Sequence, residues 1–273
     1  MALPGFEPRE TETRPRIAFA ERAGAGPAVV LVHGNSGTRE VWRPVAERLP
    51  RRRLVAVDLR GHGESDWAEP PAYATADYAS DLAAVLAALG EPPAALVAHS
   101  NGALAAIHLA ADGPTWLRGL VVVDIEPQPP QWQVDYFRER AGSVRRTYPS
   151  VADLAERMRA IDPTVPAAVF EGYLQRIVRR EQHGVRLPLD PETYASWQPG
   201  DLWPALPFVA CPLLVVRAGE SVVMSAASAE RIAAARPGTS LATIPGAGHY
   251  PMLGRPDALA AEVERFLAGL GGG

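Results

Sequence analysis

Lysine is missing from the 273 residues, so arginine supplies all 27 positive charges against 31 aspartates and glutamates, for a formal net charge of -4. That balance argues against nucleic acid, which calls for a basic face. The arginine-only set stands beside heavy use of alanine, glycine and proline and reads as a compositional habit that marks no particular site. Cysteine is nearly absent. Cys211 alone excludes an internal disulfide framework and any zinc site built on paired cysteines, and it reads as a small apolar residue before a strand. Long apolar runs are lacking too. None reaches the roughly 20 residues of a membrane span, and the first 16 residues, broken by Pro4, Pro8 and several charges, hold no run fit for a signal peptide. A soluble cytoplasmic protein is expected, monomeric or homodimeric, acting on a small molecule without cofactor or metal. No internal repeat or low-complexity block is visible.

What is present is ordinary globular material, 47% hydrophobic and 21% charged. Short β-rich runs at 16–20, 28–32, 54–57, 94–98 and 120–123 alternate with helical stretches at 38–49, 78–89 and 102–111. This is a βαβ series whose apolar runs read as buried parallel strands. In the second of those helices Leu82, Val85, Leu86 and Leu89 recur at steps of three and four, which gives one apolar face for packing on the sheet. The rhythm stops after residue 123. From 127 to 206 the chain is rich in Arg, Pro and aromatics without an obvious strand, and 132–145, 151–161 and 167–180 are predicted as helices of an inserted cap. The pattern resumes with a strand at 213–216, a helix at 226–235, a strand at 241–244 and a closing helix at 256–270. The predicted organisation is therefore a core in two parts, 1–126 and 207–273, around a helical cap at 127–206, with the last three glycines a frayed tail.

Three short segments carry chemistry. Val97-Ala98-His99-Ser100-Asn101-Gly102 lies between an apolar strand and an Ala-rich helix and fits a nucleophile elbow, with Ala98 where the first glycine usually stands. Read alone, Ser100 is equally a helix N-cap. His33-Gly34-Asn35-Ser36-Gly37 follows a strand, and a loop bending back there can aim the Asn35 N–H at a substrate carbonyl oxygen while the Asn101 N–H supplies a second donor, together an oxyanion hole. Read alone, it is a Gly-rich turn. Gly246-Ala247-Gly248-His249-Tyr250-Pro251 places a histidine on a flexible loop after the last strand, where a general base for Ser100 belongs in a serine, acid, histidine chain order.

Taken in order with Asp58-Leu59-Arg60-Gly61-His62-Gly63-Glu64-Ser65, these motifs resemble the α/β-hydrolase superfamily from about residue 16 to 270. The resemblance implies an α/β-hydrolase fold: a mostly parallel central sheet flanked by helices, with a helical cap inserted after the family's sixth strand. It also implies that the 58–65 loop, His62 included, is structural. In most relatives the triad acid follows the seventh strand, here 213–216, and the aligned position is Val222, which cannot orient an imidazole. Asp124 at the end of the sixth strand takes precedence, as in zearalenone lactonases and haloalkane dehalogenases. Glu220 is the alternative acid and Glu126 the third choice. His99, His108 and His183 are read as packing or exposed residues.

Serine at the elbow argues against dehalogenase and epoxide hydrolase chemistry, which in this fold uses aspartate. The resemblance thus implies a serine esterase or lactonase acting on a medium-sized hydrophobic substrate through a Ser100 acyl-enzyme. Trp67, Trp132, Tyr136 and Tyr250 are the expected substrate-binding aromatics. The rival readings are a carbon-carbon bond hydrolase of ring-cleavage diketones, disfavoured by Val222, and a slow-turnover ligand receptor on the same fold.

Overall fold

The computed structural model describes residues 3–90 and 94–270; the expected tail at 271–273 lies outside them. The first half of the chain forms strands β1 (Glu7–Glu10), β2 (Ala18–Arg22) and β3 (Ala25–Val32), helix α1 (Arg43–Arg48) after a 3-10 turn at Arg39–Trp42, then β4 (Arg52–Val57), α2 (Thr75–Ala88), β5 (Ala94–His99), α3 (Asn101–Ala111) and β6 (Leu117–Val123). Next come α4 (Gln131–Val144), α5 (Val151–Ile161), α6 (Ala167–Ile177), a small hairpin of β7 (Arg179–Glu181) and β8 (Gly184–Arg186), and α7 (Glu192–Ala195). The chain closes with β9 (Leu213–Ala218), α8 (Ala226–Ala235), β10 (Ser240–Ile244), α9 (Pro251–Gly254) and α10 (Pro256–Gly269).

Eight strands make the main sheet, in the order β1-β2-β4-β3-β5-β6-β9-β10. Pairs β1/β2 and β2/β4 are antiparallel and the rest are parallel. The central strands are apolar throughout because both faces are covered, and their side chains alternate between two cores. Val30, Val32, Leu96, Ala98, Leu120 and Val122 face the side packed by α2, α3 and α8. Val29, Leu31, Ala95, Val97, Val121 and Val123 face the side packed by α1 and α10. Residues of α5 and α6, among them Leu154, Met158, Phe170 and Tyr173, join that second core, so these helices share packing with the sheet layer.

One expectation needs correction. Residues 127–206 do contain strands, since β7 and β8 pair antiparallel across residues 182 and 183. They are three residues long and half exposed, so no apolar run announces them. The N-terminal strand β1 has no apolar run to announce it either, since all four of its side chains are exposed; backbone pairing with β2 holds it together with Arg9, which pairs with Glu21 at 2.6 Å and donates to Ala88 O at 2.8 Å.

The strand order reverses beside β3: β4 lies on one flank and β5 on the other. Such a switch point opens a crevice beyond the carboxyl ends of the strands. Register aligns those ends, with Val32 opposite Ala98, His99 opposite Val123 and Val123 opposite Val216. Residues 33–35, 100 and 124 therefore emerge at one level.

Candidate active site

Ser100 ends β5 and caps α3 in a sharp turn with φ 51° and ψ -125°, a conformation that L side chains rarely adopt. Its N–H donates to Val123 O at 3.0 Å, which fixes the turn against β6. The turn needs close backbone approach. A Cβ on Gly102 would stand 2.3 Å from His33 O, and one on Gly34 would stand 2.6 Å from Ser100 Cβ. Only glycine lets the elbow and the 33–37 loop meet.

His249 Nε2 lies 3.2 Å from Ser100 Oγ, and His249 Nδ1 lies 2.8 Å from Asp124 Oδ2. Asp124 is fully buried, with φ 51° at the end of β6, and its Oδ1 accepts the Ala218 N–H at 3.1 Å. The Asp124 N–H in turn donates to Val216 O at 2.9 Å. A carboxylate held at both oxygens between two strands keeps one tautomer of the imidazole, and a bare Nε2 beside a hydroxyl can take its proton. The other acids stand elsewhere. The Glu220 carboxylate is exposed and makes no hydrogen bond or ion pair among the described residues, while Glu126 Oε1 accepts the Ser228 hydroxyl at 2.6 Å. Val222 is 84% exposed.

Asn35 and Asn101 flank Ser100. Asn101 opens α3, where an N–H has no intrahelical acceptor, and among the described residues neither its N–H nor that of Asn35 meets a protein acceptor. The loop before Asn35 is held by His33, whose Nδ1–H donates to Gly34 O at 2.7 Å while Nε2 accepts the Leu59 N–H at 3.0 Å. Complete burial pushes the His33 pKa down to about 4, so the ring is neutral, as that pair of bonds requires. His62 packs against it at 5.0 Å between ring centroids, donates Nδ1–H to Arg60 O, and is pushed down to about 3 by burial and by His33.

Beside these residues lies a cleft of about 70 Å³ whose wall includes Ser36, Tyr136, Arg140, Arg157, Tyr194 and Tyr250. Ser36 and Tyr250, which line it, directly follow Asn35 and His249, while Ser100 and His249 themselves do not line it. Of the expected substrate-binding aromatics, Tyr136 and Tyr250 line it. Trp67 and Trp132 do not, being 40% and 53% exposed outside it. Two larger hollows, of about 240 and 430 Å³, sit around Cys211 and Leu241 at the opposite end of the sheet, far from Ser100.

A sequence profile of the alpha/beta hydrolase family matches residues 29–262. The chain belongs to that family. It is 33% identical over 260 residues to a pimeloyl-[acyl-carrier protein] methyl ester esterase of Xanthomonas oryzae pv. oryzae, covering 90% of this chain and 96% of that one. It is 29% identical over 248 residues to a 2-(acetamidomethylene)succinate hydrolase of Mesorhizobium japonicum, covering 89% of each. The crystal structure of E-2-(acetamidomethylene)succinate hydrolase superposes with a TM-score of 0.87 at 28% identity, over 96% of this chain and 99% of that one.

Other residues, to which the sequence assigns no place in the site, brace it. His99 is buried, and burial holds it neutral, far below the usual imidazole range. It donates Nε2–H to the His249 carbonyl at 2.7 Å and so holds the histidine loop from below. The same loop is held from α5's end: Asp162 Oδ2 accepts the Tyr250 N–H at 2.9 Å and Thr164 Oγ1 accepts the Gly248 N–H at 2.8 Å. Asp162-Pro163-Thr164 is readable as a turn, but nothing local reveals its distant partner. His108 is half-buried and His183 exposed.

Proposed function

We propose that this hydrolase cleaves carboxylic esters through a covalent Ser100 acyl-enzyme. The observation that carries the reading is the continuous chain from buried Asp124 through His249 to Ser100, at 2.8 and 3.2 Å. His249 Nε2 takes the serine proton as Oγ attacks the carbonyl carbon, and the N–H groups of Asn35 and Asn101 receive the developing oxyanion. The imidazolium, steadied by Asp124, then protonates the departing alkoxide. In the second half a water loses its proton to His249, attacks the acyl carbon and frees Ser100. A lactone would follow the same course, with the alcohol remaining on the product.

The cleft favours a particular acyl group. Its aromatic walls suit an apolar stem, but Arg140 and Arg157 line it too, with no carboxylate among its lining residues. Arg140 stacks over Tyr136, its guanidinium carbon 3.7 Å from the ring centroid. We therefore place a substrate carboxylate at the far end of the acyl chain, modifying the medium-sized hydrophobic substrate expected from sequence. The Mesorhizobium relative, named for a succinate, agrees with that reading. Residues 127–206 would act as the cap that closes this cleft.

Ser100→Ala should abolish turnover by about 10⁴-fold or more without loss of fold, and a fluorophosphonate should label Ser100 alone. Arg140→Gln and Arg157→Gln should each raise KM about tenfold for a dicarboxylic half-ester, the loss of a charge-assisted hydrogen bond, while leaving a neutral ester of equal length unchanged. Labelling at another residue would overturn the nucleophile, and preference for the neutral ester would overturn the substrate class.

A further inference from the structure

The two proposed oxyanion donors lie 66 residues apart, on different loops, yet one turn of the 127–206 segment touches both. The Tyr194 hydroxyl shares a hydrogen bond with Ser36 Oγ, one residue after Asn35. Trp197 Nε1–H donates to Asn101 Oδ1 at 2.7 Å. Each contact removes a freedom that the local chain leaves open. Ser36 sits at φ 66° between glycines at 34 and 37, so its loop has little intrinsic preference for the conformation it holds. Asn101 could present its amide either way round. An indole N–H only donates, so the bond to Trp197 fixes the oxygen toward the ring and with it the rotamer of the residue whose backbone opens α3.

The turn is itself braced. Phe137 of α4 meets Tyr194 and Trp197 edge-on, at centroid distances of 4.8 and 5.0 Å. Burial pushes the Tyr194 pKa up to about 12, so its hydroxyl stays neutral. Tyr173 of α6 adds a third tie to the loop by accepting the Thr38 N–H at 3.1 Å. Neither Tyr194 nor Trp197 bonds to Ser100 or His249, so any effect on the reaction passes through the two donor loops.

We propose that Tyr194 and Trp197 are positioning residues that set the spacing and direction of the two oxyanion donors, Tyr194 through Ser36 and Trp197 through the Asn101 carboxamide. This rests on the acyl-enzyme reading above. Binding of the ground-state ester does not need that spacing, whereas the tetrahedral intermediate does. The two residues thus act on turnover more than on affinity.

Tyr194→Phe keeps the ring that packs on Phe137 and deletes only the hydroxyl, whereas Trp197→Phe keeps an aromatic ring against Phe137 but removes part of the buried indole along with its N–H. Each should lower kcat about tenfold, less than the loss of a donor itself, with KM within about twofold. A trifluoromethyl ketone of the same chain supplies the second readout. Ser100 Oγ bonds to its carbonyl carbon, the serine proton passes to His249 Nε2, and the oxygen becomes the anion in the hole. Its inhibition constant should rise by the same factor as kcat falls, while that of the matching secondary alcohol stays put. Ser36→Ala, which leaves the turn's packing alone, should equal Tyr194→Phe, and the double variant should be no worse than either single. Wild-type kcat and ketone affinity in the variants would overturn the proposal. So would equal losses for ketone and alcohol, which would make these rings cleft wall and nothing more. Turnover surviving in Ser100→Ala would instead bring down the acyl-enzyme reading, and the proposal with it.

Discussion

In the proposed mechanism Asp124 has two tasks, and substitution can separate them. Asparagine keeps an oxygen for the Ala218 N–H but turns its NH2 toward His249 Nδ1, forcing the tautomer that protonates Nε2. Asp124→Asn should therefore lower kcat by about 10³- to 10⁴-fold while the protein melts within a few degrees of wild type. Glu220→Gln and Glu126→Gln should stay within about twofold, since neither carboxylate faces the imidazole. Steady-state kinetics beside thermal melts checks the ranking, and a larger loss in Glu220→Gln would move the acid. At this scale the candidate residues legible in the sequence are those whose neighbours along the chain define the motif: Ser100 by its small flanking residues, Asn35 by its glycines, His249 by its loop. The sequence hid His99, Asp162, Tyr194 and Trp197, because each acts on a partner dozens of residues away and carries no local mark of doing so.

Elements were legible where their ends are settled locally. Helices α5 and α8 begin as expected because Ser150 and Ser225 accept the N–H groups of Asp153 and Ser228 at 3.1 and 3.0 Å, caps that a sequence displays directly. The 38–49 helix splits into a 3-10 turn and α1 because Arg39 is drawn inward to buried Asp58, its N–H and guanidinium both bonding that carboxylate. Depth of burial also differs between helices. In α3 nine of eleven residues are buried, whereas α4 buries only Gln133. Helix stability comes mainly from a packed face, so α4 should open at lower free energy than α3. Hydrogen exchange should show faster labelling across residues 131–144 than across 101–111, and equal protection would contradict this. Phe137 departs with α4, so activity should fade on heating before the sheet unfolds.

The whole molecule encloses three neutral imidazoles, His33, His62 and His99, each buried. An unfolded chain protonates histidine near pH 6.5, but the folded chain resists until about pH 4 at His33 and about 3 at His62. Between pH 6.5 and 4 the unfolded state binds more protons, so falling pH erodes stability by about 1.4 kcal/mol per pH unit for each such ring. Asp81, pushed up to about 6 by burial, acts in the opposite sense, gaining stability as pH falls through 6. The histidine share is isolated by His62→Asn. That variant should reduce the slope of unfolding free energy between pH 6.5 and 4.5 by about 1.4 kcal/mol per pH unit, as read from denaturant titrations. An unchanged slope would show that the ring is not the proton acceptor.

The burial of Asp124 reaches beyond its own chemistry. A carboxylate enclosed at the end of an interior strand draws nothing from the loop after β9, where Val222 now lies open to solvent. With Asp124 as the proposed acid, that loop is released from the selection that would otherwise fix one acid in it. Residues 220–223 should accumulate substitutions, insertions and even new contacts on an evolutionary timescale, as a tolerant margin next to an otherwise unforgiving centre.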